Sequence, residues 1–256
     1  MPDAPTPDPR SPEGRRWSRV LLKVSGEAFA GPSGKPVDAV GVRSLAASIA
    51  AAHEQGVQIA VVNGGGNILR GAQSSIDGLG RATADYMGML ATVINALALQ
   101  DLLADQGVPS RVLTAIEMKS VAEPYIRLRC IRHLEKGRVV ILAGGTGQPY
   151  FSTDTTAALR GTEIGAEALL KGTQVDGVYD KDPKVHADAR RFASLSYGDA
   201  LRRNLRVMDR TAFTMCEENE LPIVVFDMGV DGNLVRLLKG EEIGTIVSKD
   251  AAEIEA

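Results

Sequence analysis

Lys23 closes one apolar run, Val20-Leu21-Leu22-Lys23-Val24-Ser25-Gly26, and a second run, Val57 to Val62, closes on Gly64-Gly65-Gly66-Asn67. Further polar clusters follow at Asn63 to Asn67 with Arg70, at Gly144-Gly145-Thr146-Gly147 and at Lys171-Gly172-Thr173. Cations and glycine corners at strand ends are the chemistry of a polyanion site. Glycine lets backbone N–H groups approach phosphate oxygens, and the helix that follows favours negative charge at its N-terminus. Two lysines and an arginine would offset the charge of a nucleoside triphosphate and of a phosphoryl group in transit. The chain has no G-x-x-x-x-G-K-[ST], so phosphates would be held without a Walker loop.

Each of these features also has an ordinary reading when taken alone. A lysine ending a strand is a solvated cation, Gly64-Gly65-Gly66 is a tight turn, and Asp154 between Thr153 and Thr155 is a helix cap. Asp85 is a carboxylate at a helix start. Their weight comes from falling on one edge of a single expected sheet, because open α/β sheets bind ligands beyond the carboxyl ends of their strands. His53, His133 and His186 join no cluster, and Cys130 and Cys216 match no metal or redox spacing, so no protein-built metal site is expected. Ser25 lacks the G-x-S-x-G setting of a nucleophile.

The elements that must position these residues alternate. Strand-like runs occur at about 19–24, 57–63, 111–116, 138–143, 167–171, 223–227 and 245–248, separated by helical periodicity at 38–55, 80–106, 124–136, 153–164, 196–204, 208–220 and 231–239. Gly56, Gly107 and Gly137 stand just past expected helices, and Asp38 and Asp231 at N-cap positions. Strict alternation predicts an α/β fold with a mostly parallel sheet covered by helices on both faces. The stretch 173–193 breaks the rhythm as a hairpin or long loop. Segment 86–103 is apolar nearly all round, so the domain or another subunit must cover it.

At 256 residues, 44% apolar and 4% aromatic, the chain fits one large domain with an aliphatic core. A net charge of -3 and a pI near 5.7 disfavour a nucleic-acid binder. Five of the twelve prolines lie in the first twelve residues, so 1–18 is expected as a disordered tail, 19–248 as the domain and 249–256 as a frayed acidic end. No uncharged apolar run approaches eighteen residues and the start lacks an h-region, so a reduced, cytoplasmic setting without a membrane span is expected.

Six motifs, in order and at matching intervals from about Arg19 to Ser248, resemble the bacterial uridylate (UMP) kinases of the amino acid kinase superfamily. They are Leu21 to Glu27, Gly64 to Gly71, Ala84 to Thr92, Gly145 to Asp154, Lys171 to Pro183 and Val207 to Thr214. The resemblance implies a three-layer αβα sandwich and the transfer of phosphate from ATP to UMP, with Mg²⁺ held mainly through nucleotide phosphates. It places Lys23, Val24, Ser25, Gly26 and Gly66 at the ATP phosphates, and Thr173, Tyr179 and Asp182 at adenosine. UMP would meet Gly65, Asp85 and the run Thr146, Gly147, Gln148, Pro149, Tyr150, Phe151, Ser152 and Thr153. Arg70 would serve both nucleotides and stand among the catalytic residues. Lys171 would join Lys23 in stabilising the moving phosphoryl group, with Asp154 orienting both. It further implies a homohexamer with the 86–103 helix in an interface, GTP activation and UTP inhibition. Gly31, Pro32, Ser33, Gly34, Lys35 and Pro36 match a region tied to the GTP response.

The chain departs from the family pattern at Asn63, where an apolar residue is usual, and at Gly144, where alanine is usual. The competing readings are an amino-acid or carbamate kinase of the same superfamily, and a nucleotide-binding protein without catalysis. The first conflicts with the Asp85 and Thr146–Thr153 patterns. The second should have lost Lys23, Lys171 or Asp154.

Overall fold

A computed structural model describes residues 15–31, 33–69, 78–205, 208–249, 251–252 and 254–255. The first half of the chain runs β1 (Arg19–Val24), a 3-10 turn (Gly26–Phe29), α1 (Ala39–His53), β2 (Gln58–Asn63), α2 (Arg81–Asp105), β3 (Ser110–Thr114), β4 (Glu123–Pro124), α3 (Arg127–Glu135) and β5 (Val139–Ala143). It continues with α4 (Thr153–Ile164), β6 (Ala168–Thr173), β7 (Val178–Tyr179), β8 (Arg191–Ser196), α5 (Tyr197–Arg202), α6 (Arg210–Glu218), β9 (Ile223–Asp227), α7 (Asn233–Leu238), β10 (Thr245–Ser248) and β11 (Ile254–Glu255).

All these strands join one sheet in the order β11-β8-β10-β9-β6-β1-β2-β5-β3-β4, with β7 beside β8. From β9 through β6, β1, β2, β5 and β3 to β4 every pairing is parallel, while β10 runs antiparallel to β9. Alternation along β1 divides the core in two. Val20, Leu22 and Val24 pack with α1, α2 and α7 on one face, and Leu21 packs with α3, α4, α5 and α6 on the other. Helices on both faces of a mostly parallel sheet make the three layers expected from the sequence.

Local signals set the element ends. The Asp38 carboxylate accepts from Val40 N at 2.7 Å and caps α1. Gly56, Gly107 and Gly137, just past α1, α2 and α3, have φ of 72°, 74° and 68°, where a side chain would be strained. The cap expected at Asp231 falls instead on Gly232 (φ 81°), and α7 starts without a side-chain cap. The irregular stretch 173–193 is a hairpin of β7 and β8, paired antiparallel at Val178–Phe192 and Tyr179–Arg191. β8 lacks a strand signature because its buried residues, Phe192 and Leu195, lie three apart rather than two.

Both expected chain ends differ from the expectation in part. Trp17 is buried, and Arg16 N donates to Leu238 O at 2.9 Å, so the packed chain includes residues assigned to the tail. Residues 1–14 lie outside the described residues. At the other end, β11 pairs antiparallel with β8.

α2 has 25 residues and is long and apolar enough to cross a membrane by length and composition. Asp85 and Asp101 bound its uncharged stretch, so the expectation of no charge-free run of eighteen residues stands. The helix is a core element of the domain: Val93, Ala96, Leu99 and Leu103 pack against β2, β3 and β5, with Thr92 and Asn95 buried beside them.

Candidate active site

β1 and β6 lie side by side and parallel, with Lys23 directly opposite Lys171 in the register. Both follow residues of the α4-facing core, Leu21 and Leu169, by two positions, so both side chains leave the sheet toward α4. Two ammonium groups on adjacent strands repel each other, and the fold answers with a carboxylate at the start of α4. Asp154 is the second residue of that helix, and the N-cap Ser152 hydroxyl accepts from Asp154 N and Thr155 N at 3.0 and 3.1 Å. Lys23 Nζ lies 2.8 Å from Asp154 Oδ1 and Lys171 Nζ donates to Oδ2 at 2.9 Å. One carboxylate therefore spaces and aims two amines.

The electrostatics follow from that geometry. Burial alone would raise the Asp154 carboxyl, but the Lys23 and Lys171 ammonium groups outweigh it and hold it below the ordinary carboxylate value. Burial is the largest influence on Lys171. It pulls that ammonium below its ordinary value, with repulsion from Lys23 adding to it and Asp154 opposing it. With two cations against one carboxylate, the cluster is a local positive centre, and incoming phosphates would restore balance.

Cavities flank this cluster. One, of about 270 Å³, is lined by Lys23, Ser25, Gly26, the glycines 64–66, Asp85, Met89, Thr92, Gly145, Phe151, Ser152 and Thr153. A second, of about 570 Å³, is lined by Lys171, Thr173, Tyr179, Asp182 and Lys184 along the β7–β8 hairpin. A third, of about 400 Å³, brings Asp154 and Lys171 to Asp209. The backbone approaches closely where phosphate would enter: a Cβ built on Gly26 would sit 2.8 Å from Gly66 N, so the corners after β1 and β2 are pressed together.

The expected residues divide clearly. Lys23, Ser25, Gly26, Gly65, Gly66, Asp85, Phe151, Ser152 and Thr153 line the first cavity, while Thr173, Tyr179 and Asp182 line the second. The side chain of Val24 packs in the opposite core layer, and its carbonyl accepts from Gly64 N at 3.0 Å. Thr146, Gly147, Gln148, Pro149 and Tyr150 form the loop between β5 and α4 rather than the walls of the first cavity. Thr146 Oγ1 accepts from Gln148 N at 3.2 Å, and Gly147 N donates to Gly144 O at 3.0 Å. Tyr150, at φ 74°, donates its backbone N–H to Asp85 Oδ2 at 2.8 Å, and Arg81 grips both Asp85 oxygens at 2.9 Å. Gly31, Ser33, Gly34, Lys35 and Pro36 fold over Asp38, which accepts from the Ser33 hydroxyl, and Pro36 O accepts from Asn67 Nδ2 at 2.7 Å. Arg70 and Pro32 lie outside the described residues.

Asp209 lines the third cavity at a position that motif reading left without a role. It caps α6 through Ala212 N at 2.9 Å, accepts from the Ser152 hydroxyl and lies 3.1 Å from Thr155 Oγ1, tying α6 to the start of α4. Its signal was its place before an amphipathic helix within the 207–214 motif. Other groups are set aside by their surroundings. Burial pushes the Cys130 and Cys216 thiols up to about 12, which removes them as nucleophiles. His53, His133 and His186 line none of the three cavities.

The amino acid kinase family model matches residues 18–227. A uridylate kinase of Streptomyces avermitilis is 57% identical over 239 residues, covering 93% of this chain and 95% of that protein. The chain belongs to the amino acid kinase family. Among solved structures, a UMP kinase from Bacillus anthracis superposes with a TM-score of 0.91 at 38% identity, covering 94% of this chain and all of that one. A UMP kinase from Ureaplasma parvum gives 0.86 at 36% identity, covering 91% of this chain and all of that one.

Proposed function

We propose that this amino acid kinase transfers the γ-phosphoryl group of ATP to UMP, giving ADP and UDP for pyrimidine nucleotide synthesis. The observation that carries the proposal is the Lys23–Asp154–Lys171 bridge, set between a glycine-walled cavity on one side and the hairpin cavity on the other. UMP would occupy the first cavity, with its phosphate toward Gly65, Gly66 and Lys23 and its nucleoside toward Asp85 and the Phe151–Thr153 edge. ATP would lie along the hairpin, with adenosine by Thr173, Tyr179 and Asp182 and its phosphates reaching Lys171, Gly26 and Lys23. Arg70 would add charge beside both phosphates.

Phosphoryl transfer requires in-line placement and neutralisation of the charge spread over the moving group. Lys23 and Lys171 approach from adjacent strands and exchange part of their hold on Asp154 for phosphoryl oxygens as the group passes. Asp154 keeps the amines apart and aimed. The acceptor is already an anionic phosphate, so no residue need remove a proton, in keeping with cavities that histidine does not line. Mg²⁺, when bound with ATP, would supply charge neutralisation to the phosphates. Its protein contacts would be few, since Asp154 is occupied by the two amines and no group of three His, Cys, Asp or Glu is poised for a metal among the described residues.

The exposed face of α2 carries Tyr86, Met87, Leu90, Ile94 and Leu97, a stripe that fits a contact between copies in a homohexamer. GTP activation would act through the 31–36 segment and UTP inhibition at the UMP cavity. The two buried unpaired cysteines fit a reduced cytoplasm. The test is ADP release with UMP, CMP, aspartate, glutamate, acetylglutamate or carbamate as acceptor, with and without GTP. UMP should be the acceptor turned over fastest, and faster with GTP. Turnover of an amino-acid acceptor in its place would overturn the substrate, and nucleotide binding without ADP release would overturn the enzyme.

A further inference from the structure

Asn95 is fully buried in an otherwise apolar stretch of α2, and Thr92, one turn earlier on the same face, is buried as well. A buried amide in such a place is costly unless every group is bonded, and here each one is. Asn95 Nδ2 donates to Gly64 O and to Asn67 Oδ1, both at 2.8 Å, and Asn95 Oδ1 accepts from Asn67 Nδ2 at 3.0 Å. The reciprocal amide pair clamps both ends of the Gly64–Asn67 corner. Thr92 does the same for the other loop: its Oγ1 accepts from Gly144 N at 2.8 Å while donating to Met89 O at 2.6 Å. Asn63, the residue before the glycines, donates to Thr92 O at 2.8 Å and closes the circuit. Between these bonds α2 presses directly on the corner, since a Cβ on Gly65 would fall 2.6 Å from Gly88 O. A single turn of one helix therefore fixes the height of two loops that wall the cavity beside Lys23.

Resting on the assignment of that cavity to UMP, we propose that Thr92 and Asn95 are positioning residues with separate duties. Asn95, through Asn67, sets the Gly64–Gly66 backbone where it adjoins Gly26 and the transfer path. Thr92, through Gly144, sets the Gly145 side of the UMP cavity. Loss of the Asn95 amide displaces the corner that aligns the reacting phosphates, and a shift of about 1 Å there costs on the order of 100-fold in rate. Loss of the Thr92 hydroxyl leaves Gly144 N without its partner and loosens the acceptor wall.

The test uses full-length Thr92→Val, Thr92→Ser, Asn95→Ala and Asn67→Ala. Steady-state kinetics would be read beside melting temperatures and calorimetric affinities for UMP and MgADP. Thr92→Val should raise KM for UMP by about tenfold, the size of a buried hydrogen bond left unmade, with kcat little changed, and Thr92→Ser should restore it. Asn95→Ala should instead lower kcat at saturating nucleotides by at least about tenfold, with KM for UMP little changed, and Asn67→Ala should follow it. Where Thr92→Val or Asn95→Ala does not fold, Thr92→Ala and Asn67→Ala make the same cuts. Folded variants with both parameters unchanged, or with both failing together in step with melting temperature and no recovery in Thr92→Ser, overturn the assignment. If the unaltered enzyme binds UMP without phosphorylating it, the proposed function fails separately. UMP affinity then decides the positioning role: weakened by Thr92→Val it stands, and unchanged it falls.

Discussion

Replacing Asp154 with asparagine tests the bridge through stability rather than rate. Asp154→Asn keeps the shape of the side chain and removes the charge that two ammonium groups share at 2.8 and 2.9 Å. Side-chain exposures of only 12–15% mean that water screens these pairs weakly. At an effective dielectric near 20 and these distances, each pair attracts by about 6 kcal/mol before the cost of burying the charges. Removing one member of a buried pair typically costs about 3–5 kcal/mol net, and the low end applies because Lys171, already depressed, can shed its proton. About 3 kcal/mol corresponds to a fall of roughly 6–12 °C in Tm for a chain of this size. Thermal unfolding without nucleotide should show that fall, and saturating MgADP should shrink the gap to less than half, because phosphate oxygens supply the missing negative charge. The sign with pH is set by the depressed carboxyl. The stability from Asp154 is present above the ordinary value of 3.8 and is lost as pH falls through the lower folded value, and the variant should lack this acid step. A variant as stable as the parent without nucleotide, or a gap equally wide with MgADP, would refute the reasoning.

Three further outcomes follow from the same geometry. The alkaline limb of kcat/KM should fall below the ordinary lysine value of 10.5, because the Lys171 ammonium is needed and its folded value is lowered, and Lys171→Arg should move the limb upward; a limb unmoved by that change excludes Lys171 as its source. Asp85→Asn should raise KM for UMP by about tenfold with a smaller effect on kcat, since a charged hydrogen bond to Tyr150 N and the Arg81 pair are lost together; an unchanged KM would remove Asp85 from the acceptor wall. Ile94→Asp, in the exposed apolar stripe of α2, should reduce the assembly to smaller species by light scattering while the fold persists, and an unchanged mass would place the interface elsewhere.

The sheet was legible because its central strands are buried on both faces and read as aliphatic runs, Val139 to Ala143 being the clearest. β8 was not, because it lies toward the edge of the sheet and its two buried residues lack a period of two. Lys23 and Lys171 could each be placed at a strand end, but their opposition in register depends on β6 lying against β1, which alternation does not specify. Val24 was expected at the ATP phosphates, but it shares a face with Val20 and Leu22 at period two, so its side chain turns into the core and only its backbone stands at the strand end. Asp209 meets Ser152 and Thr155 across more than fifty residues, a contact no local pattern announces. Asn95 looks like an interruption of an apolar helix until the loop bonded to it is seen.

The structure of the protein with ADP, aluminium fluoride and UMP tests the central claim most directly. Fluoride atoms around aluminium stand in for the equatorial oxygens of the phosphoryl group in transit. The account predicts both Lys23 Nζ and Lys171 Nζ within about 3 Å of those fluorides, charge-assisted hydrogen-bond distance, with Asp154 still between the two amines. Either amine directed to solvent, with the fluorides held by other groups, would contradict it.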